Sequence, residues 1–366
     1  MAWVETPLRT LCVQQTLLLK KARLWSVEEP NLYTLLSEVL VNGGVADTER
    51  TPFGIRSIAI DPQNGFRLNG IPMKLKGGCI HHDHGLLGAA SYDRAEERKV
   101  ELLRSAGFNA LRSAHNPPAP ALLDACDRLG MLVINETFDC WRIGKSPNDY
   151  HVYFEDWWQR DTAALVKRDR NHPSVIMWSI GNEILEGLGA IDGATWCKRQ
   201  ADYVRSLDNT RFVTSAIPFN FLEMQATGDF SLMFKTPPVP EDPQEDSWGM
   251  LTSDFSQPLD VVGYNYMPQR YEVDRTRFPN RVIAGTETWP HMAYTFWKET
   301  ERLPHVIGDF VWTALDYLGE AGIGAVNLEG QLGFGAPYPY HLASCGDFDI
   351  CGFKRPQSYY RDLLWR

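Results

Sequence analysis

Two glutamates in this chain follow strand-like runs closely enough to do chemistry. Glu183 comes directly after Val175-Ile176-Met177-Trp178-Ser179-Ile180-Gly181-Asn182, a run almost wholly apolar, as a strand covered on both faces should be. Glu287 follows Val282-Ile283-Ala284-Gly285-Thr286 in the same way. An acid just after a buried strand sits at its carboxyl end, the rim where a parallel α/β barrel does its chemistry. Taken alone, a strand-end glutamate reads as a solvated loop residue. The other strand ends overturn that reading. His81, His115-Asn116, Asn135-Glu136, Asn182-Glu183, Asn265-Tyr266 and Glu287 each end a separate strand, and Trp312 lies on a further one. Residues placed only for packing would not deliver His, Asn, Glu, Tyr or Trp to one rim so consistently. Glu183 and Glu287 would face each other across a barrel mouth. Paired carboxylates across a sugar-sized gap suit cleavage of a glycosidic bond. One, its pKa raised by neighbours, protonates the leaving oxygen, and the other attacks the anomeric carbon. Such a double displacement requires a separation of roughly 5 Å.

The elements that must position these groups alternate along the chain. Strands are expected at Met73–His81, Ala110–His115, Leu132–Glu136, Val175–Glu183, Phe212–Ala216, Asp260–Tyr266, Val282–Glu287 and Val306–Leu315. Helices are expected at Tyr92–Gly107, Ala119–Gly130, Phe154–Asp169, Thr195–Leu207 and His291–Leu303. This is the strand count of an α/β (β/α)8 TIM barrel. A doubly wound sheet would need a Gly-rich phosphate loop after an early strand, and Gly77-Gly78 lies within one. Pro218 to Pro258, with six prolines, reads as a long irregular segment.

Residues 1 to about 60 read as β, with strands at Leu32–Val41 and Thr51–Ile60 and a turn at Asn42-Gly43-Gly44. They are too few for a complete sandwich of ~100 residues. The division expected is therefore a partial sandwich over 1–60 and a barrel over 61–366. An incomplete sandwich leaves an apolar face, so either self-association into a homo-oligomer or a loosely packed N-terminus is expected.

Composition narrows the function further. The 366 residues carry a net charge of −10 and no basic run, which argues against nucleic acid and anionic membranes as partners. Twelve Trp and fourteen Tyr suit a sugar-stacking cleft but equally an ordinary core. Seven cysteines without CxxC spacing speak against a zinc site or a disulfide framework and fit reduced thiols in the cytoplasm. No signal peptide or membrane span is evident. His81-His82-Asp83-His84 looks like a metal site, but neighbours on one strand end point in different directions, and no metal or cofactor is expected. Trp157-Trp158 reads as core or interface packing, and Asp83 and His84 as caps of the following turn. Asp139 is either a partner for a sugar hydroxyl or a loop acid. Lys354-Arg355 is either a clamp for a carboxylated sugar or a solvated turn.

At this level of detail the chain resembles the glycoside hydrolase family 2 clan, the β-galactosidase and β-glucuronidase group. LWSVEEPNLYTL with FGIRSIAID resembles the close of that family's immunoglobulin-like domain. NGIPMKLKGGCIHHDH, LRSAHNPP, DRLGMLVINETFD, RDRNHPSVIMWSIGNE, DVVGYNY and GDFVWTALDYLGE resemble its barrel motifs, and CGDFDICGFKRPQSYYRD the segment that closes the barrel. The resemblance implies that Glu183 is the general acid/base, Asn182 the partner of the sugar 2-hydroxyl, and Glu287, in AGTETWP, the nucleophile. It implies that Tyr266 hydrogen-bonds the nucleophile, that His81 and His115 line the sugar subsite, and that Trp312 is its aromatic floor. The family's jelly-roll sugar-binding domain has no counterpart in this sequence, and the magnesium ligands of some galactosidases would fall where Phe138-Asp139-Cys140-Trp141 stand. The activity implied is that of a retaining exo-β-galactosidase acting on a carbohydrate substrate. The alternatives are a β-glucuronidase or β-galacturonidase, and a truncated carbohydrate-binding protein with impaired catalysis.

Overall fold

The computed structural model describes residues 12–190, 192–218, 239–325 and 336–365. Residues 12–19 are exposed and without helix or strand. A hairpin follows, β1 (Tyr33–Val41) and β2 (Gly44–Phe53), paired from Tyr33 opposite Phe53 to Val41 opposite Gly44. Asn42 and Gly43 turn it with φ of 52° and 83°, the left-handed conformation that a tight hairpin turn needs. Leu36, Val39, Val41 and Val45 along the hairpin are exposed.

A three-stranded sheet comes next: β3 (Ile58–Asp61), β4 (Gly65–Leu68) and β5 (Ile71–Pro72). The barrel then runs β6 (Leu75–Ile80), α1 (Asp93–Ser105), β7 (Ala110–Ser113), α2 (Pro120–Leu129), β8 (Leu132–Glu136), α3 (His151–Asp169), β9 (Val175–Asn182), α4 (Gly193–Leu207) and β10 (Phe212–Ile217). It continues through α5 (Ser247–Ser256), β11 (Val261–Asn265), α6 (Arg270–Arg277), β12 (Ile283–Thr288), α7 (Ala293–Arg302) and β13 (Val306–Val311). Strands β6 to β13 form a closed parallel barrel, shut by β13 against β6 with Gly308 beside Leu75 and Val311 beside Gly78. A short pair, β14 (Tyr317–Leu318) with β15 (Leu342–Ala343), and α8 (Pro356–Trp365) complete the described chain.

Strand alternation sorts the core into two shells. Leu75, Ala110, Leu132, Ile134, Ile176, Ala284 and Phe310 form one cluster, together with Phe66 and Leu68 of β4 and Trp25. Leu111, Val133, Trp178 and Val311 form the other, with α-helical partners such as Val100, Leu103, Phe154 and Phe296. Gly77 is required by close approach, because a Cβ there would lie 2.3 Å from the Phe310 ring. Helix α2 ends at Gly130, with φ of 74°, where a Cβ would lie 2.2 Å from the Val27 carbonyl oxygen. That contact seats the segment before the hairpin, and Trp25 Nε1 donates to the Asp127 carbonyl at 2.8 Å beside it.

Helix α6 stands where no helix was expected, β13 ends at Val311 so that Trp312 follows the strand and does not lie on it, and two longer segments also differ from expectation. The strand expected at Thr51–Ile60 is split, with β2 ending at Phe53 and β3 beginning at Ile58. Between them the backbone docks on the barrel. Arg56 donates to the Pro173 and Val175 carbonyls at 2.8 and 2.6 Å, and a Cβ on Gly54 would meet Pro173 at 2.7 Å. The irregular segment expected at Pro218–Pro258 holds α5, whose first turn is capped by the Asp246 carboxylate accepting from the Gly249 amide at 3.0 Å. Residues 219–238 of that segment lie outside the described residues. No helix among the described residues is long and apolar enough to cross a membrane.

Candidate active site

The site is built around an ion pair buried inside the barrel. On β7 and β8, Arg112 and Glu136 occupy the same face as Ala110 and as Leu132 and Ile134, so alternation turns both charges inward. Both side chains are fully buried. Arg112 meets Glu136 through Nε and Nη2, the shortest contact being 2.7 Å, and Ser179 Oγ donates to Glu136 at 2.6 Å. Burial alone would raise the Glu136 pKa. The Arg112 charge and the His115 hydrogen bond overcome it and hold the carboxyl at about 2. Glu136 also bonds His115 Nδ1 at 2.7 Å. Although burial disfavours the charged imidazole, that partner raises the His115 pKa.

Arg112 reaches two further strand ends. Its Nη1 donates to Glu287 Oε1 at 2.9 Å, and its Nη2 to Asn182 Oδ1 at 2.9 Å. The other oxygen of Glu287 accepts from the Tyr266 hydroxyl at 2.7 Å. Burial and the Glu287 charge push the Tyr266 pKa far up, so its hydroxyl stays a donor. Tyr266 and Glu183 have φ of 62° and 45°, a left-handed backbone unusual for side chains of this size. Each is fixed by a strand-to-strand bond: the Glu183 amide to the Ala216 carbonyl, and the Tyr266 amide to the Glu287 carbonyl, both 2.8 Å.

Glu183 accepts from Asn265 Nδ2 at 3.1 Å. Burial first, and then the Glu287 charge, raise its carboxyl to about 7. Asn182 is bonded on both sides of its amide. Its Oδ1 accepts from Arg112, and its Nδ2 lies 2.9 Å from Asp139 Oδ1 and 3.3 Å from His115 Nε2. Lys145 bonds Asp139 at 2.7 Å and the Asn182 carbonyl at 3.1 Å.

Aromatic rings form one wall. His115 stacks on Trp312 with 5.1 Å between centroids, His81 meets both edge-on, and Tyr317 stacks on His81 at 4.1 Å. Burial lowers the His81 pKa, and its Nε2 has no hydrogen-bond partner among the described residues. Tyr317 donates to Glu320, and Trp289 stacks on Tyr266 at 3.9 Å.

His81, His115, Asp139, Asn182, Tyr266, Glu287 and Trp312 are thus linked by direct contacts at one rim, and Glu183 joins them through Asn265, whose Nδ2 lies 3.3 Å from Asn182 Oδ1 and 3.1 Å from Glu183. Other candidates are engaged elsewhere. Asn135 turns outward to Asp169 at 2.8 Å. Asp83 accepts from the Leu318 amide at 2.9 Å, and His84 pairs with buried Glu96 at 2.7 Å, so both do more than cap a turn. Trp158 is core, but Trp157 is exposed and lies under the Arg160 guanidinium. Lys354 pairs with Asp362 at 2.6 Å and Arg355 with Asp316, so neither is a solvated turn residue. Arg112 and Glu136 were given no role in the site from sequence, although Glu136 was placed at the rim as a strand end, and Lys145 was not expected there. For the first two the signal was present as a charge at an inward position of a buried strand. Among the described residues, no three His, Cys, Asp or Glu side chains are gathered to hold a metal ion.

Comparison with known proteins gives a consistent picture. Residues 58–264 match the family model described as glycosyl hydrolases family 2, TIM barrel domain, and residues 5–56 match that of glycosyl hydrolases family 2. A β-galactosidase of Bacteroides ovatus is 33% identical, over 96% of this chain and 45% of its own. A putative β-glucuronidase of Formosa agariphila is 31% identical, over 94% of this chain and 34% of its own. The crystal structure of a glycosyl hydrolase family 2 member from Bacteroides cellulosilyticus superposes with a TM-score of 0.80 at 47% identity, covering 94% of this chain and 40% of that one. The chain therefore spans less than half the length of these relatives.

Proposed function

The chain belongs to glycosyl hydrolases family 2, and from that premise we propose that it is a retaining, exo-acting β-galactosidase working through a covalent glycosyl-enzyme. The observation that carries this reading is the different surroundings of the two rim acids, Glu183 buried beside a second carboxylate and Glu287 hydrogen-bonded by Arg112 and Tyr266. Glu183 is raised to about 7 by burial and by Glu287, which suits a group that must first give a proton and then take one. The Glu287 carboxylate is held between Arg112 at 2.9 Å and the Tyr266 hydroxyl at 2.7 Å, which orients it as a nucleophile. Protonation of the leaving oxygen by Glu183 then accompanies attack of Glu287 on the anomeric carbon. In the second step the Glu183 carboxylate draws a proton from water, which attacks the same carbon and frees the sugar. Asn182 takes the sugar 2-hydroxyl, Asp139 a further hydroxyl, and His81, His115 and Trp312 form the wall against which the ring lies. The Nε2 of His81, without a hydrogen-bond partner among the described residues, supports a hydroxyl contact there.

The relatives carry both galactosidase and glucuronidase names. The ion pairs of Lys354 and Arg355 favour a neutral sugar, because a uronide needs cations free to clamp its carboxylate. The assembled acid pair counts against a binding protein with impaired catalysis. The free state of all seven cysteines supports a cytoplasmic setting. A chromogenic panel tests the substrate: kcat/KM for an aryl β-galactoside is expected to exceed that for the β-glucuronide at least about tenfold. A preference for the glucuronide, or no turnover of either, would overturn it.

A further inference from the structure

We propose that Lys145 is a positioning residue for the acid/base glutamate: its ammonium braces the turn that presents Glu183 and supplies the positive charge facing it. This rests on the hydrolytic reading above. The ammonium donates to the Asn182 carbonyl at 3.1 Å and to Asp139 Oδ1 at 2.7 Å, and Asp139 in turn accepts from the Asn182 amide nitrogen at 2.9 Å. Asn182 is thus gripped at its main chain and at its side chain, and Glu183 is the very next residue, in a left-handed backbone that its neighbours must hold.

The loop carrying Lys145 is itself anchored. The amides of Lys145 and Ser146 both donate to Asp149 Oδ2, at 2.7 and 2.8 Å. Asp149 also pairs with His151, the first residue of α3, at 2.5 Å. Asp149 is held well below the usual carboxylate range: burial opposes ionisation, but the Ser146 amide and His151 outweigh it, so the anchor keeps its charge.

The charges around Glu183 have opposite effects. Glu287 from β12 and Asp139 from the β8–α3 loop favour its protonated form, as burial does. Lys145 and the Asn265 amide favour the ionised form. Tyr266 is neutral, and Arg112 and His115 lie behind Asn182, paired with Glu136. Burial would lower the Lys145 pKa, yet Asp139 and Glu183 raise it, so the cation persists.

A retaining reaction needs Glu183 in both protonation states within one cycle. Without Lys145 the proton would stay bound to higher pH. The first step would then survive in more alkaline solution, while the second, which needs the ionised base, would slow near neutrality.

The test compares Lys145→Met, Lys145→Gln and Lys145→Arg with the unaltered chain. In the Met and Gln variants the alkaline limb of kcat/KM is expected to move up by roughly half to one pH unit. At neutral pH kcat should fall more than kcat/KM, with a lower KM, because the glycosyl-enzyme accumulates. Lys145→Arg should restore the limb. Gln removes the charge but keeps an N–H donor on a side chain one bond shorter, and it covers the case of a Met variant that fails to fold. Carbon-13 NMR titration of the Glu183 carboxyl reads the same upward shift without turnover. Absence of turnover in the unaltered chain would therefore sink the hydrolytic reading alone. A Glu183 titration identical in the unaltered and Gln-substituted chains would overturn the role of Lys145.

Discussion

Glu287→Gln is expected to lower turnover by at least about a thousand-fold while sugar binding persists. The amide is nearly isosteric, so Arg112 keeps Glu136 and Asn182 as partners and the rim keeps its shape. What disappears is the negative charge that attacks the anomeric carbon. The loss should fall on kcat for every aryl glycoside, whatever its leaving group. Steady-state rates together with calorimetric binding of the free sugar check it. A Gln variant that keeps more than about a few per cent of turnover would rule out Glu287 as the nucleophile.

Glu183→Ala is expected to have the second-largest effect, and a selective one. Glycosides with poor leaving groups need a proton and should slow by roughly a hundred-fold or more, whereas activated aryl glycosides should be nearly spared in their first step. Azide needs no general base, and it should restore the second step and yield a glycosyl azide. The pH profile provides a further readout. In the unaltered enzyme the acid must be protonated, so kcat/KM should fall as pH rises through about 7, the value to which burial and Glu287 raise Glu183. That limb should vanish in the Ala variant. Equal losses for good and poor leaving groups, with the limb still present, would remove Glu183 from the acid role.

The eight barrel strands were legible because strands covered on both faces run apolar and stop abruptly at polar residues, as Val175–Asn182 does before Glu183. The same abrupt stops marked most of the rim. Arg112 was harder to see because it sits within a strand, and Glu136, though it ends one, was given no role in the site. Counting alternate positions from Ala110 and from Leu132 would have turned both inward. Lys145 lies in a loop, and its approach to Asn182 depends on Asp149 folding that loop back, a non-local fact that periodicity does not carry. The prolines around α5 hid a helix whose capping residue, Asp246, is itself a helix-start signal. Lys354 and Arg355 were ambiguous in sequence because Asp316, which holds Arg355, is remote along the chain.

Trapping shows whether Glu287 forms a covalent bond to the sugar. A slow substrate with fluorine in place of the 2-hydroxyl and an activated leaving group forms the glycosyl-enzyme faster than water can break it. After incubation and proteolysis, mass spectrometry is expected to find one fluoroglycosyl group, on the peptide containing Glu287. Inactivation with the label on another residue, or steady turnover of ordinary substrate with no label anywhere, would contradict the account.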